Sequence, residues 1–247
     1  VGGPDGQLDR RDLGSGDVEH MAPLLKLTPL GVTALAEAGK GRVWVGFHNG
    51  LGVFDGHALK RVNDPQLHGG VRWMTADSDG QAYVSPPGAG VLRVDAKTMK
   101  VTALQLSHSG EAGLETSQLS MHDGGLWRAS HAGLSRLDAA GGQFNDVPGV
   151  AAGQVSAFDI AGDDLWLARV DALEHYRLRD GRAQRLARIA DHGLGRLALG
   201  IPVSNRHRGT GTEAMTVIAK GVAHVAQLTG GVALAVQPRV RIAGGSV

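Results

Sequence analysis

One pattern returns four times in this chain at nearly constant spacing: a turn, a short strand centred on an aromatic residue, a tight hairpin, a Gly-Leu strand and a second turn. The copies run from Gly39 to Val62, Gln81 to Leu104, Gly125 to Val147 and Asp164 to Leu186, and the first reads GKGRVWVGFHNGLGVFDGHALKRV. Their anchors, Trp44, Tyr83, Trp127 and Trp166, stand 39, 44 and 39 residues apart. A period of about 40 residues with several short strands per copy is what propeller blades give. Each copy has hydrophobic faces that it cannot bury alone, so neighbouring copies must stack. The expected fold is therefore all-β: a β-propeller of five or six four-stranded blades, as a complete or an incomplete ring.

The copies also set the domain plan, a single domain over residues 1–247. Residues 31–193 hold the four clear repeats. In residues 1–30 the segment DLGSGDV matches DAKTMKV of the second repeat in spacing, as the outer half of a blade would. Residues 194–247 read as a degenerate repeat, in which MTVIAKGVAHV has lost its Trp, followed by closing strands (VALAV and RVRIA) or a tail. This last segment carries six basic residues against one acid, Glu213. If the ring closes, strands from its end pair with the N-terminal half-blade, because otherwise two long sheet edges stay exposed.

Turn chemistry agrees with the strand pattern. Asn49-Gly50 is a strong signal for a type I′ hairpin, whose two central residues both need positive φ. Pro86 and Pro87 fall in the corresponding hairpin of the second repeat, where a missing N–H breaks no ladder. Ala172 stands where the other copies have Gly50, Gly90 or Gly133, so that hairpin is expected to use a different turn.

Composition narrows the function classes. A net charge of +1 provides no basic field for nucleic acid or for an anionic membrane. There is no cysteine, which removes disulfides and thiolate metal sites. No apolar run approaches the roughly 20 residues that span a bilayer, and the opening VGGPDGQLDRRDL has no apolar signal-peptide core.

Recurrent tryptophans, one per copy on the same strand, are expected between blades. Trp73 differs, since it sits on an inner strand where an aromatic side chain could face a central channel. The eleven histidines form no short metal-ligating array. His48 and His131, however, fall in equivalent hairpins, together with Asn49, Ser130, Arg169 and Asp171. Hairpins of adjacent blades converge on one face, and a convergent polar rim is where a ligand would bind. These seven residues, Trp73 included, are the candidate ligand site. The turns DSDG and HDGG lack the further carboxylates of a calcium loop and are expected to be ordinary β-turns. GLGRLALG misplaces the third glycine of a dinucleotide fingerprint. No catalytic residue, metal or cofactor is expected.

The succession of inner strand, Asp/Gly turn, LWRA or VWVG, hairpin, Gly-Leu and hydrophobic-Asp resembles the two-component regulator propeller repeat. That repeat occurs in sensor regions of bacterial hybrid histidine kinases and some diguanylate cyclases. The resemblance covers about residues 31 to 225. It implies a non-enzymatic, periplasmic or extracytoplasmic module that recognises a small molecule, a glycan or a protein and signals through parts outside this chain, dimerising through the intact receptor. Streptogramin lyase-like propellers share a similar Gly-Asn-hydrophobic-Trp signature and make a metal-dependent elimination the rival activity, with His48, His131 and Asp171 as its acid/base candidates. A purely structural interaction ring is the third reading.

Overall fold

The computed structural model describes residues 9–12, 14–20, 31–107, 116–190, 225–228 and 231–234. The chain divides into two compact units. The first comprises Val1–Val147 with Ala151–Gln154, and the second comprises Pro148–Val150 with Val155–Val247.

Unit 1 begins with a hairpin, β1 (Asp9–Arg11) and β2 (Val18–His20), and continues with three four-stranded antiparallel meanders. Blade 1 is β3 (Val32–Glu37), β4 (Val43–Phe47), β5 (Gly50–Phe54) and β6 (Leu59–Arg61). Blade 2 is β7 (Trp73–Ala76), β8 (Ala82–Ser85), β9 (Leu92–Val94) and β10 (Val101–Ala103). Blade 3 is β11 (Thr116–His122), β12 (Gly125–Ser130), β13 (Leu134–Leu137) and β14 (Phe144–Asp146). Unit 2 holds blade 4, made of β15 (Ala157–Ala161), β16 (Asp164–Ala168), β17 (Ala172–Arg179) and β18 (Arg182–Ala190), and the hairpin β19 (Val225–Leu228) and β20 (Gly231–Leu234). In every blade the strands are paired in chain order, innermost to outermost.

Two anchors of unit 1, Trp44 and Tyr83, behave as period-2 alternation requires: one face of the second strand carries the aromatic and packs on the next blade. Trp44 is fully buried with Leu51, Val53, Leu67 and Val71 against Ala82, Val84, Leu92 and Val94 of blade 2. Its indole N–H donates to the Gly80 carbonyl at 2.8 Å, on the turn between β7 and β8. Tyr83 repeats the arrangement one blade on, joining Val91 and Leu104 to Leu119, Leu126 and Phe144 of blade 3. Blades 2 and 3 are further tied by a parallel bridge between Gln105 and Gln143.

The hairpin expected at Asn49-Gly50 is displaced by one residue. Phe47 pairs with Gly50, so the central residues are His48 and Asn49, neither of which has positive φ; Gly50, at φ 143, re-enters the ladder. Type I′ geometry occurs instead where Asp-Gly closes a two-residue loop, at Asp123-Gly124 (φ 46 and 68) and Asp180-Gly181 (φ 50 and 73). Ala172 takes no positive φ, unlike Gly50, Gly90 and Gly133, so its hairpin differs as expected. Pro86 and Pro87 lie in the loop after β8, where the Pro86 carbonyl accepts from Ala89 N–H.

The segment DLGSGDV forms the turn of the β1–β2 hairpin, with Asp12 accepting from the Gly14 and Ser15 N–H groups. Most of the degenerate fifth repeat, MTVIAKGVAHV up to its last residue Val225 included, lies outside the described residues, as does RVRIA. VALAV overlaps β20, whose partner is β19. Among the described residues, β1–β2 and β19–β20 form separate two-stranded sheets.

Candidate functional site

The seven candidate residues all fall at the hairpin ends of their own blades. His48 and Asn49 join β4 to β5, Ser130 and His131 end β12 and begin its hairpin, and Arg169 and Asp171 join β16 to β17. Trp73 starts β7 and pairs with Ser85, the last residue of β8. They belong to four sheets, Arg169 and Asp171 to unit 2 and the others to unit 1.

Most of these groups are engaged in building the hairpins. The Arg61 guanidinium donates to the Asn49 carbonyl and side-chain oxygen, at 3.2 and 2.8 Å, while lying over the Phe47 ring. Ser130 is buried, with its hydroxyl accepting from Ala132 N–H and donating to the Gly133 carbonyl. Trp73 is half-buried against the cluster of Tyr83, Leu119 and Phe144 that joins blades 2 and 3. His48 and His131 are exposed, and among the described residues neither ring has a hydrogen-bond or ion-pair partner. The loop that carries His48 is nonetheless closed by the Phe47–Gly50 pair, and the His48 carbonyl lies so near Gly70 that a Cβ there would come within 2.5 Å of it.

In unit 2, Arg169 and Asp171 belong to a charged cluster whose centre is Glu174, a residue the sequence reading missed. Glu174 is buried on β17. Its carboxylate accepts from Arg169 at 2.6 Å and from the Tyr176 hydroxyl at 2.9 Å, and pairs at 3.4 Å with both Arg185 and Arg188 of β18. Arg188 also pairs with Asp171 at 2.6 Å. Burial pushes the Glu174 carboxyl up, but the hydrogen bonds from Arg169 and Tyr176 and the charges of Arg169 and Arg185 outweigh it and hold it below the ordinary range. The available signal was a lone acid in the strand ALEHYRLR, followed by arginines at 182, 185 and 188.

Chemically these arrangements hold and orient. The three acid/base candidates, His48, His131 and Asp171, lie in three different sheets, and Asp171 is paired with Arg188. Among the described residues no three His, Asp or Glu side chains are grouped as metal ligands would be. The DSDG turn is an ordinary one, with Asp77 accepting from the Asp79 and Gln81 N–H groups. On the side of blade 4, Trp166 is half-buried and stacks on His175 with ring centres 4.2 Å apart; His175 in turn bonds Asp164 at 2.9 Å.

Both tyrosines of the chain are tied to carboxylates. Burial, then the Asp77 charge and the hydrogen bond to it, push Tyr83 up to about 12. Burial and Glu174 likewise raise Tyr176. A phenol pKa raised by folding favours the folded state fully below the ordinary value of 10.0 and loses that contribution as pH rises through the folded value. Tyrosinate absorbance is therefore expected to lag between pH 10 and about 12, and to develop together with loss of β-sheet circular dichroism. Ordinary titration near pH 10 by a still-folded protein would show that neither phenol is held this way.

No family model matches the chain, and no curated protein matches it. Solved structures do. The extracellular domain of a one-component system from B. thetaiotaomicron aligns with a TM-score of 0.57 at 18% identity, over 74% of this chain and 25% of that one. The extracellular domain of a hybrid two-component system from the same organism gives 0.50 at 19%, over 69% and 27%. A catalytically inactive virginiamycin B lyase from Staphylococcus aureus with quinupristin gives 0.56 at 14%, over 78% and 65%. The chain thus spans about a quarter of each of these two extracellular domains. With the four meander sheets, these likenesses establish a β-propeller fold.

Proposed function

We propose that this chain is a recognition module, without catalytic activity of its own, from the extracytoplasmic sensor region of a bacterial two-component-type signalling protein. The observation that carries this reading is the division of labour at the hairpin ends. Asn49, Ser130, Arg169 and Asp171 are used to hold their loops, while His48 and His131 stand exposed with no carboxylate partner among the described residues. Where histidine serves as general base, a carboxylate commonly orients its ring, as in the Ser-His-Asp arrangement. A fixed backbone presenting two imidazoles is suited to contact with a small molecule, a glycan or a protein surface. The repeat resemblance, and the extracellular domains of one- and two-component systems among the similar structures, support the same class.

The lyase reading supplies the sharpest test. Incubated with magnesium and quinupristin, the full chain is expected to leave the antibiotic intact by mass spectrometry. Magnesium-dependent elimination that disappears in His131→Ala would replace the recognition reading with an enzymatic one.

A further inference from the structure

The outermost strands of the three blades in unit 1, β6, β10 and β14, have three residues each, whereas β18 of blade 4 has nine. Short edge strands are one way that sheets avoid pairing with other chains, and β18 does not use it. Only the start of its edge is covered, where Ala183 N–H donates to the Pro148 carbonyl at 2.7 Å. From Gln184 to Ala190, no main chain other than β17 bonds to the strand among the described residues.

The three most exposed large hydrophobic residues of the described chain gather here. Leu186 and Ile189 of β18 are 49% and 50% exposed, and Val170, in the hairpin beside the end of β18, is 49% exposed. Arginines on an edge read by themselves as protection. Protection gives no reason for aliphatic side chains left in water beside them.

Charge and register define what this edge fits. The hairpin from Ala172 to Ala190 carries five arginines against two acids, Glu174 and Asp180, a balance of +3, and β18 itself has no acid. Side chains alternate between the faces of a strand. Arg185 and Arg188 lie on the Glu174 side, each 3.4 Å from its carboxylate, while Ile189 pairs with Leu173 on the opposite side. Arg188 already serves two carboxylates, Glu174 and Asp171. Arg185, half exposed and with the five donors of a guanidinium, can likewise serve Glu174 and a second one.

We propose that the edge of β18 from Gln184 to Ala190 receives an extended segment of another protein as a fifth strand of blade 4, one whose side chains alternate between acidic and apolar. The main chain of the segment continues the ladder, its acids meet Arg185 and Arg188, and its apolar side chains cover Ile189 on the other face. A second copy of this chain would set two edges of like charge side by side, so the partner is a different protein. The surface is distinct from the exposed imidazoles of His48 and His131, and its test does not depend on them.

Three capped peptides of the length of this edge test it on the full chain: one alternating glutamate and valine, one alternating lysine and valine, and the first again with its amides N-methylated, which removes strand pairing. Binding is read by calorimetry, and strand addition by slowed amide exchange in Gln184–Ala190. The glutamate peptide is expected to slow exchange there and to bind about tenfold more tightly than the lysine peptide, the combined effect of two exposed ion pairs. N-methylation should abolish binding. Ile189→Glu, an exposed change whose folding is checked by its melting curve, should weaken the glutamate peptide at least about tenfold. Val18→Glu, also exposed but on β2, should leave it unchanged. Equal binding of the glutamate and lysine peptides, undiminished binding after N-methylation, or no slowing of exchange at millimolar glutamate peptide would each overturn the proposal. So would a dimer in sedimentation that Ile189→Glu dissociates, which would give the edge to a second copy.

Discussion

Replacing Trp44 with alanine is expected to lower the unfolding free energy of unit 1 by about 3–5 kcal/mol, the cost of truncating a large buried aromatic. Two losses combine. The side chain is fully buried at the junction of blades 1 and 2, so a cavity opens between two sheets. The Gly80 carbonyl also loses its indole donor at 2.8 Å. Trp44→Phe keeps most of the packing and removes the hydrogen bond, and should cost about 1–2 kcal/mol more than an uncomplicated ring change. Urea unfolding followed by far-ultraviolet circular dichroism measures both. Trp166→Ala is the internal comparison: Trp166 is half-buried, and its effect should be clearly smaller. Equal losses for Trp44→Ala and Trp166→Ala would mean that the contact between blades 1 and 2 is not what the indole stabilises.

Glu174→Ala should be of similar size, about 3–5 kcal/mol, because it leaves the buried Arg169 guanidinium without its closest carboxylate. The pH dependence identifies the cause. Folding holds the Glu174 carboxyl below its ordinary value of 4.5, so its contribution is complete above that value and is lost as pH falls through the folded value. The gap between wild type and Glu174→Ala should therefore be constant around neutrality and narrow in acid. A gap independent of pH down to the acid limit would point to lost packing alone. Double replacement of Arg169 and Glu174 by apolar residues of similar volume should recover much of the stability, since a well-packed apolar pair can match a buried ion pair.

The blades were legible because two independent signals coincide in each repeat: alternation places an aromatic on the buried face of the second strand, and Gly or Asp-Gly closes the turns. Trp44, Tyr83 and Trp127 are accordingly buried. Trp166 carries the same sequence signal but is half-buried, because its environment depends on His175 across the strand, which a repeat pattern does not specify. The hairpin at His48 and Asn49 was misplaced by one residue for a related reason. Asn-Gly favours positive φ locally, but the pairing of Phe47 with Gly50 sets the loop, and Arg61 holds Asn49 from another strand. Glu174 was hidden because its partners come from β18 and the preceding hairpin, contacts that depend on register.

The hydrogen bond from Trp44 to Gly80 has an evolutionary consequence. The indole addresses main chain, and the turn that receives it needs only a glycine at φ 80, packed closely on the Ala38 carbonyl of blade 1. The hydrogen bond, unlike the packing around it, requires no matching side chain on the neighbour. Tandem duplication could then add a compatible copy in one step, while a later copy settles its anchor's polar atom elsewhere, as Tyr83 does by bonding Asp77 of its own blade.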